Sequence, residues 1–240
     1  LEFRRVLFRS DSSLKSEIKK RKKPMKTLVI KALSLGVVTW GLVSCATPSN
    51  SAFQDDVQKT LAMSFRAEGQ AGMERLKQDE ANQLCSEAEY KGKPLSDKQA
   101  EKIRRDNFKA IQWPSNQQFF GDHKLGEAIA QDGRGKTWSD KEGSVNGGNC
   151  YNCHQISKAE ISYGTLGPSL YNYGKLRGVT DVNSPTAKPI IEYTWAKLWN
   201  ARSYNACSNM PRFGHNGILT ETQLQHLMAL LLDPQSPVNQ

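Results

Sequence analysis

The residues with the clearest chemical potential are Cys150-Tyr151-Asn152-Cys153-His154. Two cysteines separated by two residues and followed directly by a histidine form the attachment signature of a c-type haem. Each thiol can add to one vinyl group of the porphyrin, which leaves the adjacent imidazole placed to bind the iron. The pattern therefore predicts one covalent haem c, attached through Cys150 and Cys153, with His154 as an iron ligand.

Three other functions of such a cysteine pair are open at this point. A structural zinc site needs a second Cys or His pair at short spacing, whereas Cys207 stands alone. A thioredoxin-like redox pair follows a strand and opens a helix, whereas residues 143–149 form a glycine-rich stretch. A disulfide between Cys150 and Cys153 would leave His154 without a role.

The start of the chain is predicted to lie outside the folded protein. Residues 1–24 begin with Leu1 and end in a basic block, and they are interpreted as translated sequence that precedes the native start. The alternative is a long charged beginning of the export signal. Met25 opens a signal peptide, residues 25–45, whose apolar stretch is too short and too interrupted to span a membrane.

Two cleavage patterns overlap at the end of this signal peptide. Leu42-Val43-Ser44-Cys45 resembles a bacterial lipobox, which predicts lipidation of Cys45. Cleavage after Ala46 at a small-x-small site is the alternative. Both readings export the protein, so we expect a periplasmic location, with the membrane contacted only through a possible lipid anchor. An oxidising compartment also suits c-type haem attachment, which in bacteria takes place outside the cytoplasm.

The basic charge of the chain is concentrated in its first residues. The formal net charge is +9, and residues 1–24 alone carry nine basic and three acidic side chains. Residues 45–240 are nearly neutral, with 22 basic and 21 acidic side chains. The high net charge therefore gives no support to nucleic-acid binding.

Residues 46–114 are predicted to form a helical extension before a haem domain of residues 115–240. Apolar residues in the extension recur at helical spacing: Val57, Leu61 and Phe65, then Met73 and Leu76. A capping-box pattern from Ser96 to Gln99 predicts the start of another helix. Neither helix is apolar enough to stand alone, so we expect both to pack on the haem domain.

Cys85 lies in this extension and needs a partner. An unpaired thiol is unusual in an exported protein. With Cys150 and Cys153 assigned to the haem, and Cys45 lipidated or removed, Cys207 is the partner that is left. We predict a Cys85–Cys207 disulfide, with two buried free thiols as the alternative.

The haem domain is predicted to be helical. Helices are expected over residues 123–131 and 190–199, and a second capping box, Thr220 to Gln223, predicts a last helix that Pro234 ends. The sequence therefore predicts an all-α fold.

A haem held by His154 needs a ligand on the far side of the iron, and Met210 is the favoured candidate. It stands beside Pro211 in a loop with no evident core role. Histidine–methionine ligation suits an electron-transfer haem of raised potential. His215 is the alternative. His226 and Met228 lie on the last helix, where we expect the histidine to face solvent and the methionine to pack in the core.

Three motifs in order resemble one family. They are CYNCH, then YGTLGPSLYNYGKLRG (163–178), then YNACSNMPRFGHNGILTETQ (204–223), with LLLDPQSPVN near the end. Together they resemble the SoxX family of monohaem c-type cytochromes, the small subunit of a bacterial sulfur-oxidation complex. The resemblance covers residues 115–240 and implies a class I cytochrome c-like haem domain. It also implies that His154 is the proximal ligand and Met210 the distal one.

The same resemblance implies a role and partners. In that family the partner is SoxA, a c-type cytochrome that forms a heterodimer with the small subunit and carries the catalytic haem. The complex is an L-cysteine S-thiosulfotransferase, which couples thiosulfate oxidatively to a cysteine of the carrier protein SoxYZ. The small subunit passes the electrons to a small soluble cytochrome c and contributes no catalytic residue. A free-standing periplasmic electron carrier is the alternative, and a lipid anchor on Cys45 would depart from a freely diffusing complex.

The segment Gly167-Pro168-Ser169-Leu170 is similar to the Gly-Pro-x-Leu segment of small c-type cytochromes. There a backbone carbonyl accepts a hydrogen bond from the proximal imidazole, which fixes the ring and tunes its basicity. The resemblance implies that Pro168 supplies this carbonyl to His154. An ordinary type II turn is the alternative.

Overall fold

The computed structural model describes residues 50–240, with side chains from residue 55 onwards. Within this range the only β-type pairing is an isolated bridge between Glu68 and Ala71. The all-α prediction is therefore confirmed for residues 50–240. None of the helices in that range is long and apolar enough to cross a membrane. The predictions for residues 1–24, for the signal peptide and for lipidation of Cys45 lie outside the described residues.

Seven α-helices follow one another along the described chain. They are α1 (Asn50–Ser64), α2 (Glu80–Tyr90), α3 (Asp97–Lys109), α4 (His123–Gln131), α5 (Tyr173–Leu176), α6 (Lys188–Trp199) and α7 (Glu221–Leu232). Short 3-10 turns lie at Met73–Leu76, Cys150–Asn152, Ala201–Ser203 and Pro237–Asn239.

Both predicted capping boxes are formed. The Ser96 side chain accepts from the backbone N–H of Gln99, and the Gln99 side chain accepts from the Ser96 N–H. Thr220 and Gln223 repeat this exchange at the start of α7. Each box satisfies two backbone donors that no helical carbonyl can reach, so α3 and α7 begin at the predicted residues.

The extension departs from the predicted pattern after α1. The spacing of Met73 and Leu76 is helical, but these residues form a 3-10 turn, in which positions i and i+3 also share a side. The chain between Ser64 and this turn is bent by Gly69, whose φ is +53°, next to the Glu68–Ala71 bridge. A left-handed backbone conformation is readily adopted by glycine, and at this position it allows the tight turn that the Glu68–Ala71 bridge closes.

The main core lies between α4, α6 and α7. Its largest fully buried side chains include Trp195, Leu224, Leu227, Met228 and Leu230. Gly126 brings α4 against α7, because a Cβ atom at this position would overlap the backbone carbonyl of His226. The crossing of α4 and α7 therefore depends on a residue without a side chain.

Helices α2 and α3 of the extension pack on the rest of the protein, as expected. A second, smaller core contains Ala81 and Ile103 from the extension together with Ala206 from the loop before α7. Trp195 Nε1 donates to the carbonyl of Gln112 at 2.9 Å, and Asn200 Nδ2 donates to Asn107 Oδ1 at 2.8 Å. Buried apolar area and buried hydrogen bonds thus hold the extension in place.

Candidate functional site

The Cys150–His154 segment forms a tight turn. Asn149 enters it with a left-handed backbone, φ +50°, and residues Cys150–Asn152 form a 3-10 turn. The backbone N–H groups of Cys153 and His154 both donate to the Cys150 carbonyl, at 3.1 and 2.9 Å. Both cysteines are half-buried free thiols. The turn therefore leaves two unbonded thiols next to one imidazole.

The structure argues against the three other functions considered for Cys150 and Cys153, which are a disulfide, a zinc site and a redox pair. Cys150 and Cys153 form no disulfide with each other. No cluster of three or more His, Cys, Asp or Glu side chains suited to a metal ion occurs in residues 50–240. No strand precedes the turn within the described chain. Burial, with a smaller effect of Cys153, raises the pKa of the Cys150 thiol to about 12, whereas a nucleophilic redox thiol needs a lowered pKa.

His154 is oriented by the segment that follows the turn. Its Nδ1 atom lies 2.7 Å from the carbonyl oxygen of Pro168, which is the contact that the Gly-Pro-x-Leu segment predicts. The Gly167 N–H donates to the Cys153 carbonyl at 2.8 Å. A Cβ atom at Gly167 would overlap the imidazole ring, so only glycine lets the chain approach this closely. Nε2 is therefore the nitrogen of the His154 ring that remains free to bind a metal ion.

Tyr151 connects the turn to α4. Its hydroxyl donates to Glu127 Oε1 at 2.7 Å and accepts from the Ser157 N–H at 3.2 Å. Burial, and then the Glu127 carboxylate, raise the pKa of Tyr151 well above its usual value. Neither Tyr151 nor Glu127 was recognised as a site residue from the sequence, because nothing in their spacing of 24 positions indicates contact.

Met210 is half-buried and packs against the main core. It lines a cavity of about 270 Å³ that is also bordered by Arg202 and Arg212. His154 does not line this cavity. The pairing of Met210 with His154 as the two iron ligands therefore stays a prediction.

The other candidate iron ligands, Met228, His226 and His215, differ in how deeply they are buried. Met228 is fully buried, in agreement with its expected role in the core. His226 was expected to face solvent, and this was wrong: it is half-buried, and its Nδ1 accepts from the Asp122 N–H at 2.8 Å. The fold brings the start of α4 onto α7, which a helical spacing could not reveal. His215 is exposed, and partial burial followed by the Arg212 charge lowers the pKa of its ring.

Cys85 and Cys207 form a disulfide with an S–S distance of 2.07 Å, across 122 positions of sequence. This is the pairing that the argument from the compartment predicts. It attaches α2 to the loop of residues 204–219, which we call the Met210 loop.

Asp79 forms a second link to the Met210 loop. Its carboxylate pairs with Arg212 at 2.7 Å and with Arg202 at 3.3 Å. Burial opposes ionisation of Asp79, but hydrogen bonds from the Asn82 N–H and Arg212, with the charges of both arginines, lower its pKa. No sequence signal marks the pairing of Asp79 with Arg202 and Arg212, since both arginines are more than 120 positions away.

The residues present suit a covalent haem. The turn offers two free thiols and an imidazole whose Nδ1 is already bonded. The indole Nε1 of Trp199 is buried without a hydrogen-bond partner, although such a donor is costly to leave unpaired. Gly214 in the Met210 loop lies against the Trp199 ring, where a Cβ atom would overlap it. An unpaired buried donor is therefore available to a bound group with an acceptor.

Comparisons with known proteins give the family of the chain. No family model matches it. It is 30% identical over 221 residues to an uncharacterized lipoprotein of Aquifex aeolicus (strain VF5), an alignment that covers 90% of this chain and all of the relative. The chain belongs to the family of that lipoprotein.

Proposed function

We propose that this chain is an exported monohaem c-type cytochrome of the SoxX type, an electron-transfer subunit of a thiosulfate-oxidising complex. The observation that carries the proposal is the Cys150–His154 turn. It combines two free thiols with an imidazole whose Nδ1 is held 2.7 Å from the Pro168 carbonyl. The class I cytochrome c-like haem domain belongs to the same proposal.

The residues of the turn have distinct tasks in this function. Cys150 and Cys153 would hold a haem c through two thioether bonds, and such a group supplies one-electron transfer. His154 would bind the iron through Nε2. The Pro168 carbonyl keeps the Nδ1 proton in place, which selects the tautomer that leaves Nε2 unprotonated. Gly167 makes this contact possible by leaving room for the ring.

Met210 is proposed as the distal ligand, with His215 as the alternative. A loop methionine that is half-buried against the core can present its thioether without loss of a hydrogen bond. Methionine raises the reduction potential relative to a second histidine, which suits an acceptor of electrons from an oxidative reaction. The charge-transfer band of methionine-ligated ferric haem distinguishes the two candidates. Its loss in Met210→Ala and its retention in His215→Ala would support Met210.

Exposed apolar residues near the turn favour a lasting partner over a free carrier. Ile161 and Leu166 are 88% and 90% exposed, although both are large and apolar. They belong to the segment that bonds back to the turn, where the Gly164 N–H donates to the Tyr151 carbonyl at 2.8 Å. Such residues are typical of surfaces that a partner covers. The proposed partner is a SoxA-like c-type cytochrome, which would react with a SoxYZ-like carrier, while a small soluble cytochrome c receives the electrons.

Attachment to a membrane is proposed through lipid on Cys45, in the periplasm. The lipobox pattern at residues 42–45 supports this location. So does membership in the family of a protein described as a lipoprotein. Mass analysis of the mature N-terminus would distinguish a lipidated Cys45 from simple cleavage after Ala46.

The test is to express the chain in a host with c-type haem maturation and to measure the mass of the denatured protein. We expect a mass increase of one haem that denaturation does not remove, and no such increase in Cys150→Ser/Cys153→Ser. A mature chain without covalent haem would overturn the proposal. Native purification then tests the complex. A co-purifying c-type cytochrome and thiosulfate-dependent haem reduction support it, whereas a lone chain that ignores thiosulfate supports the free carrier.

A further inference from the structure

The Met210 loop is held from outside by the helical extension. Cys207 is bonded covalently to Cys85 of α2. The preceding residue, Ala206, is buried with Ala81 and Ile103 in the second core. The beginning of the loop is therefore part of the packing of the extension and does not rest on the main core alone.

The part of the loop that follows Met210 is held by the same helix. Arg212 pairs with Asp79, the N-cap residue of α2, at 2.7 Å. Arg202, just before the loop, reaches the same carboxylate at 3.3 Å and also donates to Asn82 Oδ1. Side chains of both arginines are mostly buried, with 10% and 13% exposed, so water screens these contacts less than it screens surface pairs.

Met210 lies between these two attachments. Cys207 is three residues before it and Arg212 is two residues after it. A segment of six residues with both ends tied to one helix has few open conformations, because loop entropy falls with the length of free chain. The half-buried position of Met210 thus depends on α2, although α2 is far away in sequence.

We infer that α2 and its N-cap residue Asp79 act as a positioning clamp that keeps the Met210 loop closed and holds Met210 against the main core. The consequence for iron ligation rests on the function proposed above, whereas the closure of the loop does not. Asp79, Cys85 and Cys207 thereby act as positioning residues for Met210, through their bonds to its neighbours Arg212 and Ala206–Ser208.

The test uses the Cys85→Ser/Cys207→Ser variant, which removes the covalent link without leaving an unpaired thiol. Amide hydrogen exchange reports on residues 204–216 whether or not haem is attached. Binding of added imidazole to the ferric haem reports on Met210, because an external ligand competes only when the loop is open. We expect faster exchange confined to these residues and imidazole affinity raised by about tenfold, in proportion to the open fraction.

A matched control separates clamping from general stability. Ser236 is fully buried; its hydroxyl donates to the Leu230 carbonyl at 2.7 Å and accepts from the Val238 N–H at 3.4 Å, so neither bond involves the Met210 loop. We expect Ser236→Ala to lower the melting temperature without altering imidazole affinity. Equal imidazole affinity in the disulfide variant and the wild type, with unchanged exchange over residues 204–216, would overturn the clamp. Absence of covalent haem would instead overturn the proposed function, and the exchange measurement would still decide whether the loop is clamped.

Discussion

The Cys150–His154 turn and the Met210 loop are stabilised over very different distances in sequence. The turn and the segment after it, residues 150–170, are held largely by contacts within 14 positions, such as His154 Nδ1 to the Pro168 carbonyl. The Met210 loop is held by a disulfide that spans 122 positions and by Asp79. The first region combines these local bonds with the packing of Tyr151 and Ile156 in the main core, whereas the second also requires the extension to be folded. Changes in the extension should therefore affect the two regions unequally.

The largest effect is expected from removal of the disulfide. In Cys85→Ser/Cys207→Ser the unfolded chain gains the freedom of a loop of more than 100 residues, which corresponds to about 4 kcal/mol of lost stability. Denaturant unfolding followed by fluorescence measures this loss. We expect the amides of residues 150–170 to keep more of their protection against hydrogen exchange than the amides near Met210. An equal loss of protection in both regions would show that the stability of the turn depends on the disulfide as much as that of the Met210 loop.

Gly167→Ala is expected to affect the other region. The added methyl group overlaps the His154 ring and forces the imidazole or the backbone to shift, at a cost of about 1 to 3 kcal/mol. We expect a lower yield of protein with covalent haem and an altered spectrum of the ligated histidine, with no change in exchange over residues 204–216. Gly133→Ala is the matched control, since its nearest neighbour would be in ordinary contact at 3.6 Å.

Asp79→Asn is expected to weaken the Met210 loop in a pH-dependent way. Asp79 is 42% exposed, so we expect a loss of about 1 to 2 kcal/mol, less than for a fully buried pair. Its pKa is lowered in the folded state. The stabilisation is therefore complete above the unfolded pKa near 4, and is lost as the pH falls through the lower folded pKa. Melting curves from pH 7 to pH 3 should show the two proteins converging in acid; a constant difference would exclude this role.

The smallest effects are expected at the two capping boxes. Ser96→Ala and Thr220→Ala each remove one hydrogen bond to a helix N-terminus, at a cost of about 1 kcal/mol. Ser96 caps a helix of the extension, so its loss should loosen the Met210 loop more than the turn. Thr220 caps α7 in the main core, so its loss should affect both regions alike. If amide hydrogen exchange changed at the same residues in both variants, the proposed dependence of the Met210 loop on the extension would be contradicted.

Features decided by neighbours in sequence were predictable. The starts of α3 and α7 follow from Ser96–Gln99 and Thr220–Gln223, because a capping box closes within three residues. The Cys150–His154 turn and the contact of His154 with Pro168 are likewise local. The disulfide was predictable in a different way, because the expected export and the expected use of Cys150 and Cys153 for a haem leave Cys85 and Cys207 as partners.

Features decided by distant neighbours were not predictable. The contact of Tyr151 with Glu127 and that of His226 with Asp122 follow from how α4 meets the rest of the chain. The expectation that His226 faces solvent failed for this reason: a period of 3.6 residues says which positions share a side, and does not say which helix covers that side.

The sequence by itself determined which reactive side chains stand together and where the capped helices begin, and it predicted export, since each of these signals lies in residues a few positions apart. Only the tertiary structure decided that Asp79 pairs with Arg212, so that the Met210 loop is attached to α2 on both sides of Met210. The tertiary structure also decided that α7 packs closely against Gly126 and that the indole Nε1 of Trp199 is buried without a hydrogen-bond partner. The physical reason is that burial and pairing depend on which surfaces meet when the whole chain packs, and that outcome has no local signature.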